Sequence, residues 1–176
     1  AMFLAAMPAA AQTGLSTRPN YDMIDRANRI DENKQRDLNA LHKASVEALE
    51  TEDFAAAESA IHRLLESTPS TPDAHYLLGL AQTGLGKWSE AKESLEVAVR
   101  MEPDRPGPKT RLGLAYVQLN ELQAARLQRL ALASLSADCN RACDDAKRIT
   151  EGLMVLDEAL SPERLIVTPQ ARLVIA

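Results

Sequence analysis

Small and apolar residues recur along this chain at two spacings at once. Within short segments they fall three or four apart, the period of one face of an α-helix. Leu78, Ala81, Leu95 and Ala98 lie at this spacing on one face. Between segments, small residues recur every 34 positions: Ser45, Gly79 and Gly113, then Ala57, Ala91 and Ala125, with Pro69 and Pro103 repeating the interval. The small residues stand where two antiparallel helices cross, because a larger side chain there would push the backbones apart. Gly84-Leu85-Gly86 supplies a turn tolerant of left-handed backbone. Trp88 opens the second helix of its unit, and Phe54 and Leu122 hold the same place in the other two. Pro103 ends that helix, since proline lacks a donor and restricts the residue before it.

The middle unit reads His75-x2-Leu78-Gly79-x2-Gln82, then Ala91-x3-Leu95, then Pro103. The third reads Lys109-x2-Leu112-Gly113-x2-Tyr116, then Ala125-x3-Arg129, with no Pro at its end. The first reads Leu41-x2-Ala44-Ser45-x2-Ala48, then Ala57-x3-Ile61, then Pro69. Period and pattern resemble the tetratricopeptide repeat family over residues 38 to about 137, more than half of the chain. The resemblance implies an all-α fold, an α-solenoid of three helical hairpins at 38–71, 72–105 and 106–137. One hairpin cannot bury its apolar face alone, so three stacked units are about the minimum array.

Four flanking segments are expected. Residues 2–11 (MFLAAMPAAA) resemble the end of a secretory signal with an A-x-A cleavage site. Residues 1–20 are therefore read as a signal remnant followed by an unstructured polar segment, which implies a bacterial periplasmic location. Residues 21–37 read as a separate N-terminal helix whose thin stripe of Met23, Ile24, Ala27 and Ile30 packs on the first repeat or mediates self-association. Residues 138–160 read as one amphipathic helix covering the open end of the last repeat, as solenoids require for solubility, with Gly152 marking a bend. Residues 161–176 read as an extended apolar tail, a second route to a homo-oligomer.

Composition narrows the function. Hydrophobic residues are 45% of the 176 and aromatics only 3%, which disfavours β-sandwiches and barrels. A net charge of −5 without a basic block makes a poor nucleic-acid binder. No apolar run reaches the roughly 18–20 residues of a membrane span. Phosphate-cradling glycine loops, nucleophile elbows and H-E-x-x-H motifs are absent, and His42, His62 and His75 lie on repeat helices. The chain reads as a non-enzymatic module with no cofactor or metal. The sharp local feature is Cys139-x3-Cys143. An exported chain with two nearby cysteines points to a disulfide. Mid-helix the Cβ atoms are too far apart, so the bond needs Cys139 to precede the first turn of the helix. Two buried thiols, or a soft-metal site for Cu(I), remain as alternatives.

Resemblance to the family also implies a concave face, lined by the first helix of each repeat, that grips a protein or peptide segment. Carried onto this sequence, the groove residues are Asn39, His42, Val46 and Leu49 from the first unit. The second unit gives Asp73, Tyr76, Leu80 and Thr83, and the third gives Gly107, Thr110, Leu114 and Val117. His42 and Val46 stand where a lysine–asparagine clamp for a C-terminal carboxylate would need Lys and Asn, which argues against that ligand. The apolar middle of the set suits an apolar segment, from a partner or from the chain's own residues 21–37 or 163–176. Arg100, Arg105, Lys109 and Arg111 gather near the junction of the last two units, as a solvated edge or a dock for an acidic partner. The leading expectation is a partner-binding module in a cell-envelope assembly or biogenesis complex. The alternative is a periplasmic thiol- or copper-handling protein working through Cys139 and Cys143.

Overall fold

The computed structural model describes residues 21–139 and 143–161, which form seven helices and no strand. They are α1 (Tyr21–Glu50), α2 (Phe54–Ser67), α3 (Pro72–Gly84), α4 (Trp88–Met101), α5 (Pro106–Gln118), α6 (Leu122–Cys139) and α7 (Ala146–Ala159). Backbone packing separates residues 1–35 from residues 36–176. In the first unit the side chains of residues 23–35 are all exposed, Met23 at 67% and Ile30 at 60%.

The second unit is the repeat array. Phe54, Trp88 and Leu122 open the second helices, as the stride predicts. The turns before them share one geometry. Glu52, Gly86 and Asn120, 34 apart, adopt left-handed backbone with φ of 59°, 72° and 59°. Around each, three backbone bonds recur; at the middle turn they run from Leu85 N–H to Ala81 O, Gly86 N–H to Thr83 O and Lys87 N–H to Gln82 O. These bonds satisfy carbonyls at the end of the first helix while the chain reverses. The turn between repeats has its own device. Pro69 and Pro103 follow the ends of α2 and α4 by two residues, and Pro72 and Pro106 occupy the first position of α3 and α5. There a missing N–H costs nothing and the fixed φ suits the helix.

From α2 to α7 each helix packs on the next in sequence, α5 also packs on α3 and α7 on α5, and Leu38, Leu41, Val46, Ala48 and Leu49 of α1 pack against the core of α2 and α3. The interior follows the stride. Ala57, Ile61, Ala91, Leu95 and Ala125 are fully buried, and Ser45 is buried with its hydroxyl donating to Leu41 O. At Gly79 a Cβ would stand 2.5 Å from Leu95 Cγ, so the crossing of α3 and α4 admits only glycine without rearrangement. Two ion pairs join successive second helices at equivalent places with their charges exchanged: Lys87 to Glu58 at 2.7 Å and Lys92 to Glu121 at 2.9 Å.

Three boundaries differ from the expected ones. No break separates residues 21–37 from 38–50, because Gln35-Arg36-Asp37-Leu38-Asn39 carries neither Gly, Pro nor a cap and α1 runs straight through. The last helix begins at Ala146, not at 138. The stride that places Pro69 and Pro103 puts Ala137 in the third unit, so α6 has no stop there and continues to Cys139. Gly152 marks close approach: it is buried inside α7, and a Cβ there would strike the Thr110 hydroxyl of α5. The expected segment 1–20, and residues 162–176 of the expected tail 161–176, lie outside the described residues.

Candidate functional site

The first helices carry a chain of polar contacts from repeat to repeat. His42 Nε2 on α1 and Asp73 Oδ2 on α3 stand 2.8 Å apart. Arg105, at the entry to α5, donates from Nη2 to Asp73 Oδ1 at 2.8 Å and from Nη1 to Glu102 Oε2 at 2.9 Å. Its guanidinium also sits 5.1 Å from the centroid of the Tyr76 ring. Burial alone would push the Asp73 carboxyl up. Hydrogen bonds from His42 and Arg105, with their positive charge, outweigh it and hold the carboxyl below its ordinary value.

The groove residues inferred from the sequence fall into four sets, two of which share Tyr76. His42, Asp73 and Tyr76 are tied into this polar chain. Val46, Leu49 and Leu80 are half-buried against the core around Ile61, Leu77 and Leu78. Asn39 is exposed, Val117 half-buried, and Thr83 donates its hydroxyl to Gly79 O within its own helix. Tyr76, Gly107, Thr110 and Leu114 come together in one recess of about 320 Å³. Its remaining wall was not anticipated: Arg148, Glu151, Gly152 and Val155 of α7 complete it, with Arg111 of α5 at the rim. The 34-residue stride identifies only repeat positions, whereas α7 docks on α5 as a fourth first-helix would. The available signal was Gly152, a small residue on the apolar face of the last helix.

The four basic residues near the repeat junction do not act as one patch. Arg105 is paired, and Arg100 and Arg111 are exposed. Lys109 is only 7% exposed, and that burial lowers its ammonium pKa against the opposing pull of Asp104.

Cys139 and Cys143 stand at disulfide distance, Cα to Cα 5.3 Å. The geometry is met at the opposite helix end from the one expected. Cys139 is the last residue of α6, and Cys143 lies beyond that helix, before the start of α7. Beside them a cleft of about 610 Å³ lies between Ser136 and Cys139 on α6 and Ala146, Ile149 and Leu153 on α7. Among the described residues, no three His, Cys, Asp or Glu side chains converge on one metal position. Nor is any described helix long and apolar enough to cross a membrane.

The tetratricopeptide repeat pattern matches residues 43–106 and 83–138. No curated protein sequence matches the chain significantly. Among solved structures, the chain is similar to the TPR2B domain of yeast Sti1 in its complex with pHsp70, with TM-score 0.60 and 16% identity over 70% of this chain and 98% of that one. It is similar to the type III secretion translocator chaperone SycD of Yersinia enterocolitica, with TM-score 0.58 and 16% identity over 69% and 92%. It is also similar to the first repeat domain of Spaghetti (RPAP3) bound to the HSP90 peptide SRMEEVD, with TM-score 0.58 and 18% identity over 71% and 94%.

Proposed function

Because the chain belongs to the tetratricopeptide repeat family, a family of non-enzymatic interaction scaffolds, we propose that it holds a protein segment on the face formed by α1, α3, α5 and α7. One observation carries this reading: the recess where α3, α5 and α7 meet keeps Tyr76, Leu114 and Val155 accessible in a shape a side chain can enter. Two of the similar structures are complexes, one with pHsp70 and one with the HSP90 peptide SRMEEVD, which supports segment binding as the use of this fold. His42 and Val46, in place of Lys and Asn, direct the ligand away from a C-terminal carboxylate. The pairing of His42 with Asp73 has the same effect, because it engages the imidazole inside the protein.

The setting we propose is a bacterial periplasmic assembly or biogenesis complex. The signal-like start supports it, as does a cysteine pair at disulfide distance, which suits an oxidising compartment. A photo-crosslinking residue at Leu114, with Leu130 on α6 as the control, tests the binding reading in the native host. Protein adducts from Leu114 and none from Leu130 are expected. Adducts at the control position alone, or at neither, overturn it.

The Cys139–Cys143 pair favours a second reading, a thiol- or copper-handling protein with the repeats as scaffold. It requires a pair that cycles, and thiol accessibility separates the two readings.

A further inference from the structure

Taking the chain as a segment-binding module, the recess itself says what kind of segment fits. Ahead of α5 the charges are tied to one another: His42, Asp73, Arg105 and Glu102 form one connected run. At the recess no such run joins one helix to the next. Arg111 is exposed and makes no hydrogen bond or ion pair with any described residue. Arg148 reaches only Asp145, three residues back at its own helix start, at 3.0 Å, and its side chain is 74% exposed. The one carboxylate in the lining, Glu151, has Lys147 of its own helix 3.7 Å away. Two outward guanidiniums therefore stand over an apolar floor, in a chain whose net charge is −5.

The dimensions restrict the occupant further. A space of about 320 Å³ admits one or two side chains and not the body of a helix. In an extended segment, alternate side chains face opposite ways. A residue pointing into the recess thus leaves its neighbours at the rim, where the guanidiniums stand. Arginine's planar fork pairs with carboxylates through two parallel bonds.

We propose that the recess where α3, α5 and α7 meet holds an extended protein segment by one apolar side chain seated against Tyr76, Leu114 and Val155, with acidic neighbours in that segment paired to Arg111 and Arg148. Helix α7, outside the three repeats, is then a determinant of specificity as well as a cap.

The test is fluorescence anisotropy of the full chain with an acetylated and amidated seven-residue peptide carrying a central Leu flanked on each side by Glu. Blocked ends remove any terminal carboxylate from the comparison. Saturable binding that weakens with added salt is expected. An Arg111→Glu, Arg148→Glu double variant, its helicity checked by circular dichroism, should bind about tenfold more weakly. Peptides with Lys in place of Glu, or Ser in place of Leu, should fail to compete. Equal binding by the Lys peptide or by the double variant overturns the proposal, and so does displacement by an equimolar oligonucleotide. The two readings fail separately. A segment trapped at Leu114 that lacks acidic residues removes this inference and leaves segment binding intact. Absence of any adduct at Leu114 removes the binding reading itself.

Discussion

Replacing Leu156 by Ala should free α7 while leaving the repeats folded. Leu156 is fully buried on α7, and its Cδ2 lies 2.7 Å from where a Cβ at Gly113 would stand, so it fills the space that glycine leaves open. Truncation loses the transfer free energy of the side chain and leaves a cavity, together about 3 kcal/mol. Within α7 only Ile149, Gly152 and Leu156 are buried. The large anchors are therefore two, each worth about 1.5–3 kcal/mol. Losing one removes about half of the apolar hold on the helix. In a repeat array stability is a sum of units and nearest-neighbour interfaces, so the loss falls on the contact of α7 with α5 and α6. Hydrogen exchange of the amides in 146–159 should accelerate about a hundredfold, the factor that about 3 kcal/mol implies. Amides in α3 should change far less, and the urea transition followed at Trp88 should keep most of its midpoint. Unchanged protection in α7 would refute the anchoring role. Equal acceleration in α3 and α7 would refute the nearest-neighbour reasoning.

Glu52→Gly should raise stability by about 1 kcal/mol in urea unfolding, since a glutamate held at φ 59° sits where only glycine is unstrained, and Gly86→Ala should lower it by a similar amount. Asp73, whose carboxyl is held below its ordinary value, contributes stability that is fully present above its unfolded pKa and is lost as pH falls through the folded one. The acid limb of a thermal-stability profile should therefore be shallower in Asp73→Asn than in the parent, and identical limbs would show that the pairing contributes nothing. Cys139 and Cys143, purified in air, should resist alkylation until a dithiol reductant is added, after which two labels should appear by mass spectrometry. Labelling before reduction, or stoichiometric Cu(I) uptake, would favour the thiol- or copper-handling reading.

Most of the array was legible because its determinants are small residues at a fixed stride. Gly79 and Gly113 mark close crossings, Ala57, Ala91 and Ala125 are fully buried, and Trp88 with its two equivalents opens the second helices. The left-handed turn was visible only at Gly86, because glutamate and asparagine at 52 and 120 do not advertise that backbone. The stride exposes all three once they are aligned. The ends were less legible because the stride stops there. Helix α1 passes through residue 37 simply because nothing in the local sequence halts it, a weaker signal than a stop. The recess was half legible: Tyr76, Thr110 and Leu114 follow from repeat positions, but Arg148 and Val155 depend on how α7 docks, which is set by contacts distant in sequence.

The departure of the third repeat from its own pattern explains why α7 is there. The place held by Ile61 and Leu95, both fully buried, falls to Arg129 in the third unit. A guanidinium cannot fill the interior opposite Gly113 without an unpaired buried charge. It turns outward instead and pairs with Asp157 of α7 through two hydrogen bonds, one of them 3.1 Å from Nη2 to Oδ2. Leu156, the residue before Asp157, enters the space that the repeat pattern leaves empty. One polar residue at a core position thus empties the third hairpin and supplies the partner that guides its cap into register. The cap completes the core of the third repeat, and in doing so it brings Arg148 and Val155 to the recess.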